Sequence, residues 1–71
     1  MNMNKGRYVF TAYKVMVTAD VLNVRKSPTT SSAVVTTIRK NEVYTIVGES
    51  DGWGKLKSGV GWISLAYAVK T

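Results

Sequence analysis

The sequence predicts an all-β domain, a small barrel of five to seven short strands with one 3₁₀ turn near the C-terminus. Three observations carry this. Short segments rich in Val, Ile, Tyr, Trp and Thr recur along the chain, and such residues suit a pleated, half-buried surface. Turn signals separate them at intervals of about 8–10 residues, a spacing that suits small sandwiches and barrels. No stretch sustains a helical period. At 71 residues the chain makes one domain, and a barrel of two packed, curved sheets removes the open edges that invite aggregation.

The elements follow in order. Met1–Gly6 is polar and reads as a linker. Arg7–Val17, RYVFTAYKVMV, is aromatic and β-branched and predicts one or two strands, with a break at Ala12–Lys14. Residues 1–12 are thus expected to form an N-terminal extension, with 7–12 available as an added strand and the domain proper at 13–71. Val21–Arg25 alternates, with Leu22 and Val24 on one face and Asn23 and Arg25 on the other. Lys26–Ser32 reads as a loop, because Pro28 fixes φ and has no N–H for a ladder. Val34–Arg39 is the next strand, and Lys40–Glu42 a turn with Asn41 suited to positive φ. Val43–Val47 precedes Asp51-Gly52, a strong hairpin signal. Trp53–Lys57, a turn at Ser58-Gly59, Val60–Ser64, a 3₁₀ turn within Ser64–Tyr67 and a last strand at Ala68–Lys70 complete the chain. The expected core is Val17, Leu22, Val24, Val34, Ile38, Tyr44, Ile46, Leu56 and Ile63.

Composition narrows the function. The chain has no Cys and no His. Thiolate chemistry, disulfides, the commonest metal ligand and the commonest neutral-pH acid–base group are therefore all missing. Only four carboxylates are present, Asp20, Glu42, Glu49 and Asp51, and nothing in their spacing suggests a pair converging across a cleft. The pattern argues against an enzyme and calls for no cofactor or metal. A net charge of +6 points to polyanions as partners or simply to solubility. The basic residues are dispersed rather than run together, which disfavours a nucleic-acid-binding tail. No apolar run reaches the length of a membrane span, and the N-terminus lacks the pattern of a signal peptide.

The strings LNVRKSPTTSSAVVTTIRKNE, Leu22–Glu42, and GESDGWGKLKSGVGWISLAY, Gly48–Tyr67, resemble the bacterial SH3 domain, often called SH3b. That family runs Leu-Asn-Val-Arg, a small residue, Pro, a Ser/Thr run, a strand ending Lys-Lys-Gly, then Gly-Trp-x-Lys-hydrophobic, and finally Gly-Trp-hydrophobic-Ser followed by Tyr. The resemblance covers Val17 to about Tyr67 and is specific because several motifs occur in order. Three departures stand out. Asn41 replaces the usual Gly, Gly54 stands where a larger residue is common, and the aromatic stretch before Val15 is longer than usual. The gap at Gly54 is either filled by a neighbour or open to a ligand.

The resemblance implies an SH3-like barrel serving as a non-catalytic module that targets an attached peptidoglycan hydrolase, such as an N-acetylmuramoyl-L-alanine amidase or an endolysin, to the cell wall. The implied partners are a peptidoglycan stem peptide or cross-bridge and the covalently attached catalytic domain. Neither nucleic acid nor membrane is implied. The expected form is a monomer, and the expected location is the extracellular bacterial wall, whether the chain is made by the bacterium or by a phage. The rival reading is a protein-interaction module that takes an extended peptide of a protein partner; a single-stranded nucleic-acid binder ranks third.

The candidate ligand-binding residues are Tyr13, Asn23, Arg25, Trp53, Trp62, Ser64 and Tyr67. Trp53 has opposite parity to Leu56, so it either offers an outer platform or folds over the hairpin as a lid. Trp62 has opposite parity to Ile63 and is either a platform or packed beneath a loop. Asn23 can pair with a peptide backbone or brace a turn. Arg25 can grip a ligand carboxylate or fix a loop by pairing with Asp20, Glu42 or Glu49. The string Gly61–Tyr67 is similar to Gly-Tyr-Ile-Pro-Ser-Asn-Tyr of eukaryotic SH3 domains, where the Pro and the last Tyr line a polyproline groove. Ser64 replaces that Pro and no acidic loop is present, so Pro-rich ligands are disfavoured while the same face stays available. Tyr13 is a further aromatic that could join that face.

Overall fold

Alternating apolar residues on short β-branched segments produce seven strands in the computed structural model, which describes residues 9–71. The Met1–Gly6 stretch, expected to be a linker, and the start of the Arg7–Val17 segment lie outside the described residues. The strands are β1 (Val9–Val17), β2 (Val21–Arg25), β3 (Val34–Arg39), β4 (Val43–Ser50), β5 (Trp53–Leu56), β6 (Trp62–Ser64) and β7 (Ala68–Lys70), with a 3₁₀ turn at Leu65–Tyr67 before β7. All pairings are antiparallel. They form one sheet in the order β3-β2-β6-β5-β4-β1-β7.

Two packed sheets were expected; a single curled one is found. Its two ends, β3 and β7, are not ladder neighbours. Closure comes from turn and loop backbone instead. The Asn41 N–H donates to the Val17 carbonyl at 2.9 Å, the Val17 N–H to Glu42 at 2.9 Å, and the Thr18 N–H to Tyr67 at 2.9 Å. Curling brings six strands onto one cluster: Val15, Val17, Leu22, Val24, Ile38, Ile46, Leu56 and Ile63 are buried together. Tyr13, Tyr44, Leu65 and Ala68 pack against it half-exposed.

Three bulges explain where strand parity misleads. Between β2 and β3, Val24 pairs with Thr36 but Arg25 with Val34. Val35 is therefore an extra residue, and the face flips beyond it. Val34, expected in the core, is turned out and 46% exposed. Val15, absent from the expected core, is buried on β1. Tyr44, also expected in the core, lies at its margin. On β1 the register shifts between Phe10 and Tyr13, so the suspected break at Ala12–Lys14 is a bulge in one continuous strand. On β4, Ile46 faces Leu56 and Gly48 faces Lys55, which leaves Val47 as the extra residue.

The turns follow their residues. Asn41 has φ 74°, and Asp51 and Gly52 have φ 49° and 83°, the paired positive values of a type I′ hairpin. The Glu42 N–H donates to the Arg39 carbonyl at 3.2 Å. The Glu42 carboxylate accepts from the Arg39 N–H and from the Tyr44 hydroxyl, each at 2.8 Å. These bonds to its charged form hold the carboxyl below the ordinary Glu range, the backbone bond contributing most. The gap at Gly54 is filled rather than open: a Cβ there would sit 2.7 Å from Leu65 Cδ2 and 3.0 Å from Ile46 Cδ1.

Candidate binding groove

Five of the seven candidate residues meet in one hollow. Asn23, Arg25, Trp53, Ser64 and Tyr67 line a groove of about 410 Å³, together with Ala19, Val21, Leu22, Thr30 and Ala66. Its wall is the outer face of β2, β5 and β6. Leu22 and Val24 point inward, so Val21, Asn23 and Arg25 point out. Gly54 and Leu56 are buried, so Trp53 and Lys55 point out. Register sets Trp53 directly across from Ser64.

The Asp51-Gly52 hairpin positions Trp53, which closes it opposite Ser50. The Gly52 carbonyl then accepts from the Leu65 N–H at 2.9 Å, tying the 3₁₀ turn to that hairpin. Ser64 caps the turn, its hydroxyl accepting from the Ala66 N–H at 3.4 Å. Tyr67 ends the turn 52% exposed, and its carbonyl accepts from the Thr18 N–H. Both aromatic walls are thus held by backbone bonds while their rings border the groove. Of the two roles open to Trp53, the structure shows a half-buried ring in the groove wall.

The polar wall comes from β2 and its loop. Arg25 is half-buried and donates Nη1–H to the Ser32 carbonyl at 2.8 Å. It does fix the loop, though through a backbone carbonyl rather than a carboxylate. The loop is further braced by the Ser27 N–H donating to Ser32 Oγ at 2.9 Å and by the Thr29–Ser31 hydroxyl pair at 3.1 Å. One Arg25 donor among five is committed in this way. Asn23 is exposed on the groove side of β2.

Trp62 and Tyr13 are not in the groove. Trp62 shares the outer face but lies one row further along, in register with Arg25 on one side and Lys55 on the other. Tyr13 has the inward parity of Val15 and Val17. It lines a second hollow of about 260 Å³ with Val15, Glu49, Leu65, Ala68 and Lys70. Its hydroxyl donates to the Glu49 carboxylate, and Lys70 Nζ stands 4.5 Å above its ring. Burial first, then that hydrogen bond and the Glu49 charge, push the Tyr13 phenol up to about 12.

Sequence reasoning missed Ala19, Thr30 and Ala66, which no strand alternation marks. Val21 was within reach, since it shares the face of Asn23. Among the described residues no group of three or more acidic side chains could hold a metal ion.

Comparison with known families agrees with the motif order. The bacterial SH3 domain model, SH3_3, matches residues 20–69. Comparison with curated proteins and with solved structures gives no match. With the greater part of its length matched and its Trp, Ser and Tyr ranged along one groove of an all-β barrel, the chain belongs to the bacterial SH3 domain family, a family of non-catalytic binding modules.

Proposed function

We propose that this domain holds an attached peptidoglycan hydrolase on the bacterial wall by binding a peptidoglycan stem peptide or cross-bridge in the groove between β2 and the 3₁₀ turn. One observation carries the reading: Trp53 and Tyr67 flank a groove of about 410 Å³ whose opposite wall offers Asn23 and Arg25. That volume falls in the range of small-ligand sites, about 300–1,000 Å³. The chemistry suits a short peptide. Aromatic faces cover aliphatic side chains, an amide pairs with peptide backbone, and a guanidinium meets a free carboxylate. Stem peptides end in carboxylates. Attachment to the wall raises the local concentration of a linked catalytic domain, so weak single-site binding suffices.

The test is chemical-shift mapping with defined muropeptides against protein-derived extended peptides of equal length. Saturable shifts at Asn23, Trp53 and Tyr67 with muropeptides alone support the proposal. Shifts only with protein peptides transfer the groove to a protein partner, and no shift with either removes the groove as a peptide site.

A further inference from the structure

The 3₁₀ turn borders two hollows. Ala66 and Tyr67 line the groove, whereas Leu65 and Ala68 line the second hollow of about 260 Å³ with Tyr13, Val15, Glu49 and Lys70. Two departures from the family pattern build it. Gly54 lets Leu65 settle onto the sheet, where Leu65 Cδ2 occupies the space that a Cβ would need. The long aromatic stretch before Val15 supplies Tyr13. Residues paired directly across strands share a face. Glu49 therefore faces the same side as Gly54, its partner on β5, and Lys70 the same side as Val15, its buried partner on β1.

Two opposite charges are arranged around one ring. The Tyr13 hydroxyl donates to Glu49 Oε2, and Lys70 Nζ stands over the ring face, 4.5 Å from its centre. Each contact orients its group and leaves it bonding capacity. A carboxylate has about four lone-pair positions, of which the phenol takes one. The ring attracts the ammonium as a whole cation, and its N–H donors can still serve an oxygen acceptor. Val15, Leu65 and Ala68 add an apolar floor. A purely anionic ligand would be repelled by Glu49 and a purely cationic one by Lys70. A ligand carrying both charges close together suits both groups.

We propose that this hollow binds an α-amino-carboxylate zwitterion on a short aliphatic chain. The ligand ammonium meets the Glu49 carboxylate, its carboxylate meets the Lys70 ammonium, and its chain lies against Leu65 and Ala68. The volume is below the roughly 300–1,000 Å³ of larger ligand sites, so it suits one such end group rather than a length of peptide. Two sources carry this chemistry: a free amino acid, and the uncross-linked end of a diamino-dicarboxylic acid residue in a stem peptide. The second source rests on the peptide-groove reading. The hollow itself does not.

The experiment is an NMR titration of the folded domain with free meso-diaminopimelate and with two muropeptides that differ only in carrying meso-diaminopimelate or lysine at the third position. The free acid and the diaminopimelate muropeptide should shift Tyr13 and Lys70 saturably. The lysine muropeptide has the side-chain ammonium without the carboxylate, and should bind there at least about fivefold more weakly. A response to the free acid but to neither muropeptide would support the hollow and assign it to free amino acids. Glu49→Gln, which keeps an oxygen for the Tyr13 hydroxyl, and Lys70→Gln should each lose at least about fivefold in affinity. The charge-matched controls Asp51→Asn and Lys26→Gln should change less than about twofold. All four are checked for unchanged thermal unfolding. Trp53→Ala should abolish the groove shifts and leave those at Tyr13 in place, which separates failure of one reading from failure of the other. Equal losses in the controls, unchanged affinity in either hollow variant, an equal response to the lysine muropeptide or no saturable shift with either zwitterion would each overturn the proposal.

Discussion

Replacing Gly61 with Ala tests how β6 is seated, and with it the junction between the groove and the rest of the barrel. An ideal Cβ at this position would collide with the Arg25 backbone oxygen and lie 2.9 Å from Val24 Cγ1 and 3.2 Å from the Arg25 carbonyl carbon. The obstacle is mostly backbone, so rotamer changes cannot relieve it. β2 and β6 meet at a single paired position, Arg25 with Trp62, and Val24 is fully buried in the core. Moving β6 away must therefore open the core or break that pairing. Overpacking of this kind costs about 1–3 kcal/mol, and the loss of unfolded-state freedom on Gly→Ala returns about 0.4–1 kcal/mol. A net loss of up to about 2.6 kcal/mol is large for 71 residues, whose total stability is of the order of 4–11 kcal/mol. At that upper end it should lower Tm by roughly 10–20 °C. Urea unfolding followed by tryptophan fluorescence reads the energy. Muropeptide titration reads the accompanying displacement of Arg25, expected as a several-fold loss of affinity. A G61A midpoint at or above the wild-type value would refute the reasoning, because β6 would then be able to step off β2 without cost.

Other outcomes follow from the same geometry. Trp53→Ala should weaken muropeptide binding by at least tenfold, the scale of an aromatic hot spot worth about 2 kcal/mol. Trp62→Ala, outside the groove, should change it less than threefold; the reverse order in an NMR titration would place the peptide on the Trp62 row. Glu42 is held below its ordinary pKa, so its contribution to stability is present above the ordinary Glu value and is lost as pH falls through the lowered folded value. The difference in urea midpoint between wild type and Glu42→Ala should accordingly shrink between pH 7 and pH 3, and a constant difference would count against the turn bonds. The Tyr13 phenol, raised to about 12, contributes stability that is full below the ordinary Tyr value of 10.0 and declines as pH rises toward 12. Ultraviolet titration of Glu49→Gln should find this phenol ionising earlier than in wild type but still above its ordinary value, since burial is the largest cause; an unshifted curve would contradict the Tyr13–Glu49 bond.

The candidate site was legible where strand alternation ran undisturbed. Asn23 and Arg25 lie next to Leu22 and Val24, which had to be buried, and Trp53 has opposite parity to Leu56, so their outward direction followed from period two, whereas Ser64 was marked by its place in the Gly61–Tyr67 string. Tyr67 was legible by position in a motif, not by parity. Tyr13 and Trp62 show the limit. Parity does turn Trp62 outward, but a face is wider than a groove, and only the register with Arg25 and Lys55 shows that it stands one row away. Tyr13 faces inward with Val15, and the bulge between Phe10 and Tyr13 hides that orientation from any reading of β1 that begins upstream.

Local chemistry was enough to specify the strands, the positive-φ turn at Asn41, the Asp51-Gly52 hairpin and most of the core, because each depends on neighbouring residues and on burial of one apolar face. Tertiary structure alone decided the extra residues at Val35 and Val47, the outward turn of Val34 and the filling of Gly54 by Leu65. It alone gathered the groove walls from β2, β5 and the 3₁₀ turn. The physical reason is that a bulge shifts register by a single residue to suit strand curvature, and curvature is set by how the whole sheet wraps its core. No local stretch of sequence carries that information.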